Sequence, residues 1–261
     1  MNAKMKSQYL NSSELMDYII ISLANKRPLS VVSLGVSETF VLAQYNLLSY
    51  KEFMKHAEIR VAALGKKRGQ QHRGIRFPNV NARDNLVRSL KQADIVGYNT
   101  LIKDMHSGLL TEIAFEYYDL WPKYTYESYI RRVIMFSQAR KFAEMLKGRK
   151  VLLIASYADE VRAALERKWQ KQLGFSIAGA VKIYEYEEIP QTINLIRKLD
   201  FDLALVAAGV NAIIINVYIA KEMGKVAFDL GQGMESLITG KIQDDNGFLE
   251  RTIGINRLMK M

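Results

Sequence analysis

The residues best placed for chemistry are small or acidic residues that directly follow apolar runs of the chain. Gly35 follows an apolar run that begins at Leu29, and similar turns follow the runs that end near Ala155, Ala207 and Phe228. In an open α/β sheet, ligands bind at the carboxyl ends of the strands, where small residues let a ligand approach the backbone. The candidate ligand-binding residues in these turns are Gly35, Ser37, Asn99, Ser156, Gly209, Asn211 and Gly231. We therefore expect these turns to share one cleft.

Two carboxylates, Glu38 and Asp229, accompany these turns and are the candidate catalytic residues. A carboxylate at such a place can hold Mg²⁺ or Mn²⁺, or it can take a proton from a hydroxyl group. Glu38 is the candidate metal ligand. The alternative is that Glu38, like Asp159 after a later strand, only complements the positive end of a helix dipole. The sequence leaves both interpretations of Glu38 open.

Motifs absent from the chain exclude several classes of protein. There is no GxGxxG dinucleotide signature and no Gly-Lys-Ser/Thr phosphate loop, which argues against a nicotinamide dehydrogenase and a P-loop ATPase. There is no GxSxG elbow of a serine hydrolase. The chain has no cysteine, and its three histidines lack metal-binding spacing. Thiol chemistry is therefore excluded, and a histidine-based zinc site is disfavoured.

A basic segment lies at residues 66–76, in a chain whose formal net charge is +10. Residues 65–76 contain five Lys or Arg, three Gly and no acid. Arg73 and Arg76 are candidates for binding a phosphate or an anionic acceptor, because guanidinium groups pair well with such oxygens. A solvated loop is the alternative. The segment lacks the interleaved aromatic residues that stack on RNA bases, so we expect contact with an anionic surface but not with nucleic acid.

Apolar strand patterns alternate with helical patterns through most of the 261 residues. This alternation predicts an α/β fold with a mostly parallel sheet and helices on both faces. We expect a single domain over 1–261, in which two halves join near 122–149 and 241–261 form a C-terminal tail. Predicted helices begin at Ser12, with Ser12 or Ser13 as the cap, and at Ala82, with Asn81 as the cap. Apolar residues after Glu38 predict another helix that ends near Ser49. Ser49 and Glu52 form a capping-box pattern that opens a helix to about Leu64.

The chain contains no apolar run of the roughly 18 residues that a membrane span needs. Its first residues, which run into a polar Ser/Asn stretch, lack the apolar core of a signal peptide. We therefore expect a cytoplasmic location, with attachment to a membrane surface left open.

Three segments together resemble a known family. Residues 33–38 (Ser-Leu-Gly-Val-Ser-Glu), 205–212 and 224–232 resemble the strand-end motifs of bacterial GT-D fold glycosyltransferases in order and spacing. The resemblance implies a Rossmann-like fold of GT-D type. It also implies transfer of a hexose from a UDP-sugar to a glycan or glycoprotein in cell-surface glycan assembly, with Mn²⁺ or Mg²⁺ as cofactor. By position, Glu38 matches the family's glutamate, and Asp229 and Gly231 match its closing motif.

The sequence departs from the family pattern at two positions. Val36 stands where the family has the aspartate of its Asp-x-Glu metal element, and Gln232 stands where a histidine is common. One monodentate carboxylate holds Mg²⁺ poorly. Three outcomes follow: Glu38 holds the metal together with substrate phosphates and another acid, the basic segment replaces the metal, or the protein binds a nucleotide-sugar or acts as a scaffold without catalysis.

Overall fold

A single sheet of eight strands forms the centre of the computed structural model, which describes residues 8–57, 59–60 and 74–261. The strands are β1 (Gln8–Tyr9), β2 (Leu29–Ser33), β3 (Ile95–Tyr98), β4 (Tyr124–Glu127), β5 (Lys150–Ala155), β6 (Ser176–Val181), β7 (Leu203–Ala207) and β8 (Val226–Asp229). Their order in the sheet is β1-β4-β3-β2-β8-β7-β5-β6. Every pair is parallel, and the strands of both halves of the chain join in this one sheet at β2 and β8. The predicted α/β class is confirmed.

Helices cover both faces of the sheet. They are α1 (Ser12–Ala24), α2 (Val36–Ala43), α3 (Tyr50–Lys55), α4 (Val80–Leu90), α5 (Gly108–Tyr117), α6 (Ile130–Ser137), α7 (Ala139–Leu146), α8 (Ala158–Leu165), α9 (Ile189–Ile196), α10 (Asn211–Met223), α11 (Gly233–Thr239), α12 (Phe248–Thr252) and α13 (Ile255–Met259). Helix α8 continues through a π-helical segment, Glu166–Gln170, into a last turn at Lys171–Leu173. In the described part of the chain, no helix is both long and apolar enough to cross a membrane.

The central strands are apolar at successive positions because both of their faces are buried. Along β5, Val151 and Leu153 pack on the side of α1 and α7, whereas Leu152 and Ile154 pack on the side of α9 and α10. Side chains of a strand alternate between faces, so a strand covered on both sides reads as a continuous apolar run. This pattern is what made β2, β5 and β7 recognisable in the sequence.

Two predicted helix caps are wrong by one or two residues. Helix α1 is capped by Asn11, whose Oδ1 accepts the Glu14 N–H at 2.9 Å. In return, the Glu14 carboxylate accepts the Asn11 N–H. Helix α4 is capped by Asn79, whose Oδ1 accepts the Ala82 N–H at 2.9 Å, rather than by Asn81. Asn, Asp and Ser are all good caps, so runs that contain several of them leave the choice to tertiary contacts. The capping box of α3 at Ser49 is confirmed.

Helix α2 is shorter than the sequence indicated. It begins at Val36, ahead of Glu38, and ends at Ala43, whereas the apolar pattern predicted a helix to Ser49. Tyr45 takes a φ of +63°, which breaks the helix. The predicted helix from Ser49 to Leu64 does not run unbroken, because α3 ends at Lys55, where His56 takes extended backbone (φ −71°, ψ 138°). Residues 58 and 61–64 of the predicted helix lie outside the described residues.

Strand β4 was missed in the sequence, and so was the folding of the C-terminal tail. Strand β4 is short and ends in an acid, Glu127, that is fully buried. Its carboxylate is satisfied because it accepts the N–H groups of Thr100, Leu101 and Tyr129 at 2.8–3.1 Å. The tail forms α12 and α13, and its apolar residues Leu249, Ile253 and Leu258 pack in one cluster with Val133 of α6. Helix α6 is thereby fixed between the sheet and the tail.

Candidate functional site

A cleft of about 660 Å³ opens at the carboxyl ends of the central strands. It lies where the strand order changes direction, between β2 and the strands of the second half, which is the usual ligand position in an open α/β sheet. The predicted site residues that line it are Gly35, Ser37, Glu38, Asn99, Ser156, Gly209, Asp229 and Gly231. The structure therefore brings eight of the predicted residues to one place.

Two other predicted site residues, Asn211 and Arg76, do not line this cleft. Asn211 is buried one layer behind it, where its Nδ2 donates to the carbonyl oxygen of Gly74 at 2.8 Å. The Arg76 side chain is 64% exposed and lies 3.9 Å from the carboxylate of Glu185. Arg73 lies outside the described residues, as does most of the basic segment 66–76. Asn211 thus supports the cleft wall through Gly74, which does line the cleft.

The first turn of α2 positions Glu38 in the cleft. Its Oε2 accepts the N–H of Gly35 at 2.8 Å, so the carboxylate caps the helix that carries it. Burial raises the pKa of Glu38, while backbone N–H groups and the Arg131 guanidinium act in the opposite direction and Asp229 adds to the rise. Glu38 therefore serves the helix and also faces the cleft, which leaves its role in binding or catalysis a prediction.

Asp229 forms a buried ion pair with Arg131, a residue that the sequence analysis did not identify. Arg131 Nη1 lies 2.6 Å from Asp229 Oδ2, and the Gly231 N–H donates to Asp229 Oδ1 at 3.0 Å. The side chains of Arg131 and Asp229 are 17% and 4% exposed. Burial raises the pKa of Asp229 against the opposing effect of Arg131. Burial disfavours the charge on Arg131, but the nearby Asp229, Tyr126 and Glu38 outweigh it and raise the pKa of Arg131.

The glycines of the closing motif make room for this arginine. A Cβ on Gly231 would lie 2.7 Å from Arg131 Nη1, and a Cβ on Gly233 would overlap the Arg131 carbonyl oxygen. Gly231 also has a φ of +50°, which side chains with a Cβ adopt at a cost. The small residues that were predicted to let a ligand approach the backbone therefore also leave space for Arg131.

A second cluster of polar side chains lies where the C-terminal tail borders the cleft. Gln232 Nε2 donates to Asp245 Oδ2 at 2.7 Å, and Arg132 Nη1 lies 3.7 Å from the same oxygen. Burial lowers the pKa of Arg132 and raises the pKa of Glu235. Gln232, which stands where a histidine is common, is thus tied to the tail.

Arg131 and Arg132 were missed because their strand was missed. They sit in the first turn of α6, four and five residues after the buried Glu127 that ends β4. The loop between β4 and α6 contributes Ser128 to the cleft. The signal was present in the aromatic and β-branched residues of β4, which favour strands. Had β4 been recognised, its following turn would have joined the other strand-end turns.

The carboxylates of the cleft do not form a fitting site for a divalent cation. Val36 has no side-chain oxygen, both carboxylate oxygens of Asp229 already accept hydrogen bonds, and Glu38 Oε2 accepts the Gly35 N–H. Among the described residues, no group of three or more His, Cys, Asp or Glu is arranged to hold a metal ion. Mg²⁺ and Mn²⁺ need several oxygen ligands, of which this arrangement leaves too few.

Comparison with known families agrees with the fold. The model of the GT-D fold-like domain matches residues 10–237, so the chain belongs to the GT-D-like family. No curated protein matches the chain, and neither does any solved structure. Residues 238–261, which include the cleft residue Asp245, lie beyond the family match.

Proposed function

We propose that this protein is a glycosyltransferase that moves a hexose from a nucleotide-sugar, most simply a UDP-sugar, to a glycan or glycoprotein in surface glycan assembly. The observation that carries the proposal is the gathering in one cleft of Glu38, Asp229 and Gly231, the residues whose positions resemble the family's motifs. The chain's membership of the GT-D-like family also supports it. The cleft volume lies within the range of roughly 300–1,000 Å³ that is usual for small-molecule sites.

The backbone around the cleft suits a phosphorylated ligand. Helices α2, α8 and α10 begin at or just behind the lining segments Gly35–Ser37, Ser156–Tyr157 and Ala208–Gly209. The N-terminus of a helix carries a partial positive charge and favours anions. Three such ends around one cleft support a ligand with a diphosphate group.

Glu38 is suited to accept a proton in the transfer step. The acceptor hydroxyl oxygen forms a bond to the anomeric carbon of the sugar, the bond from that carbon to the diphosphate oxygen breaks, and the nucleoside diphosphate leaves with the electron pair. The hydroxyl proton must pass to a base. A carboxylate with a raised pKa, such as Glu38, is a better base than a solvated one.

The alternative is a non-catalytic protein that binds a nucleotide-sugar or acts as a scaffold. The presence of Val36 at the family's aspartate position favours it. Turnover separates the two functions, because a scaffold binds the donor without breaking the glycosyl bond.

Calorimetric titration with UDP and other nucleoside diphosphates, followed by an assay of UDP-sugar hydrolysis and transfer, tests the proposal. We expect UDP to bind the native chain, and turnover to be lost in Glu38→Ala. Activity that appears only in Val36→Asp would identify a protein that has lost catalysis. Failure of every nucleotide to bind would remove the transferase proposal and the nucleotide-sugar-binding alternative together.

A further inference from the structure

We propose that Arg131 supplies the positive charge that a divalent cation would otherwise bring to the donor diphosphate, so that nucleotide binding does not depend on a metal. This inference rests on the proposed function, because it concerns how the same cleft binds its nucleotide. It identifies Arg131 as a binding residue outside the three segments that resemble the family.

Arg131 is fixed in place on two sides. Its Nη1 is held by Asp229 at 2.6 Å, and its Nε donates to the carbonyl oxygen of Ser128 at 3.2 Å. Nη2 has no hydrogen-bond acceptor within the described ranges, although the residue lines the cleft. A guanidinium that is already ordered loses little entropy when it binds a phosphate oxygen, and it stays charged at any ordinary pH.

A metal ion beside Glu38 would meet an unfavourable environment. Glu38, Arg131 and Asp229 all line the cleft, and Arg131 Nη1 lies 2.6 Å from Asp229 Oδ2, so the three charged groups share one cavity. A divalent cation placed against Glu38 would be repelled by the Arg131 guanidinium and would find Asp229 already paired. Arg131 therefore occupies the electrostatic position of the metal.

The charges of the cleft make a distinctive prediction for Glu38. Among the residues that the structure describes, the lining contains the carboxyl groups of Glu38, Asp229, Glu235 and Asp245 and two guanidinium groups, Arg131 and Arg132. If no metal intervenes, the negative charge of Glu38 repels the diphosphate. Removing the Glu38 charge should then keep or strengthen UDP binding, whereas in a metal-dependent site the same change would abolish UDP binding.

The test is calorimetric titration of UDP in EDTA and again with Mn²⁺. The variants are Glu38→Gln, whose amide oxygen can still cap α2, and Arg131→Gln combined with Asp229→Asn, which removes both charges of the ion pair together. Arg162→Gln is the control, because Arg162 is exposed on α8 and pairs with Glu166 outside the cleft. Circular dichroism and a thermal transition check that each variant is folded.

We expect equal UDP affinity in both buffers, retained or tighter binding by Glu38→Gln, and a loss of at least about tenfold in the double variant, the scale of a charged hydrogen bond. The control should bind like the native chain. UDP binding that requires Mn²⁺, or that disappears in Glu38→Gln, would overturn the inference while leaving the proposed function intact. A native chain that binds no nucleotide in either buffer would overturn both.

Discussion

Replacing Asp229 by Asn should destabilise the protein strongly, because it leaves the buried Arg131 without its main counter-ion. Asparagine is close in size and keeps an oxygen for the Gly231 N–H, so the change isolates the charge. At the observed 2.6 Å, the gross attraction of the pair is about 6 kcal/mol at an effective dielectric constant of about 20. Much of this offsets the cost of burying the two charges, and loss of one partner of such a pair costs about 3–5 kcal/mol.

The lower end of that range is expected here, because the Glu38 carboxylate remains near Arg131. A loss of about 3 kcal/mol corresponds to a fall of about 1 M in the urea midpoint, if the denaturant slope is about 3 kcal/mol/M. Urea unfolding at neutral pH, followed by circular dichroism, measures this change. Asp200→Asn is the matched control, since Asp200 is exposed and pairs with Lys150 at the opposite end of the sheet, and its midpoint should not move.

The double variant Arg131→Gln with Asp229→Asn should recover part of the lost stability, because it leaves no isolated arginine charge in the cleft. If Asp229→Asn unfolds at the same urea concentration as Asp200→Asn, the ion pair does not hold Arg131 in place and the reasoning about the site is refuted.

Three further changes have defined outcomes. Gly231→Ala should lower stability by more than Gly174→Ala and should also weaken UDP binding. Both glycines have positive φ, which costs a residue with a Cβ about 1–2 kcal/mol, but a Cβ on Gly231 would also meet the Arg131 guanidinium. Equal losses of stability and unchanged UDP binding would contradict this role of Gly231. Asn79→Ala should cost about 1 kcal/mol in urea unfolding whereas Asn81→Ala should cost little, and the reverse order would show that the cap of α4 is misplaced. Because burial raises the pKa of Glu38 above its ordinary value of 4.5, the stability linked to its proton is present below about pH 4.5 and is lost as the pH rises through the raised pKa. Glu38→Gln should therefore have a higher melting temperature than the native chain at pH 7 and the same one near pH 4, and a melting temperature at pH 7 that is not raised would count against the burial of this carboxylate.

The parallel sheet and the cleft at its carboxyl edge could be predicted from the sequence because the central strands have a clear apolar pattern. Runs such as Val151–Ala155 and Leu203–Ala207 are apolar throughout, and each is followed by a small residue and a helix. That order places the strand-end turns on one edge of a parallel sheet, and Glu38, Asp229 and the glycines meet there.

Arg131 could not be predicted in the same way, because its place depends on weak local signals. Strand β4 is only four residues long and ends in a buried acid, two of whose partners, Thr100 and Leu101, lie more than twenty positions earlier in the chain. The pairing of Arg131 with Asp229 joins residues 98 positions apart, and no local pattern encodes it. The caps at Asn11 and Asn79 were missed for a related reason, since their neighbours are equally good caps and only the packed structure selects one.

The most direct test of the proposed donor site is a crystal structure of the protein with UDP, grown in EDTA. We predict UDP in the cleft at the carboxyl ends of β2 and β8, with a diphosphate oxygen within hydrogen-bond distance of the Arg131 guanidinium. A nucleotide bound elsewhere on the chain, or a cleft that stays empty of nucleotide at saturating UDP, would contradict the assignment of this cleft as the donor site.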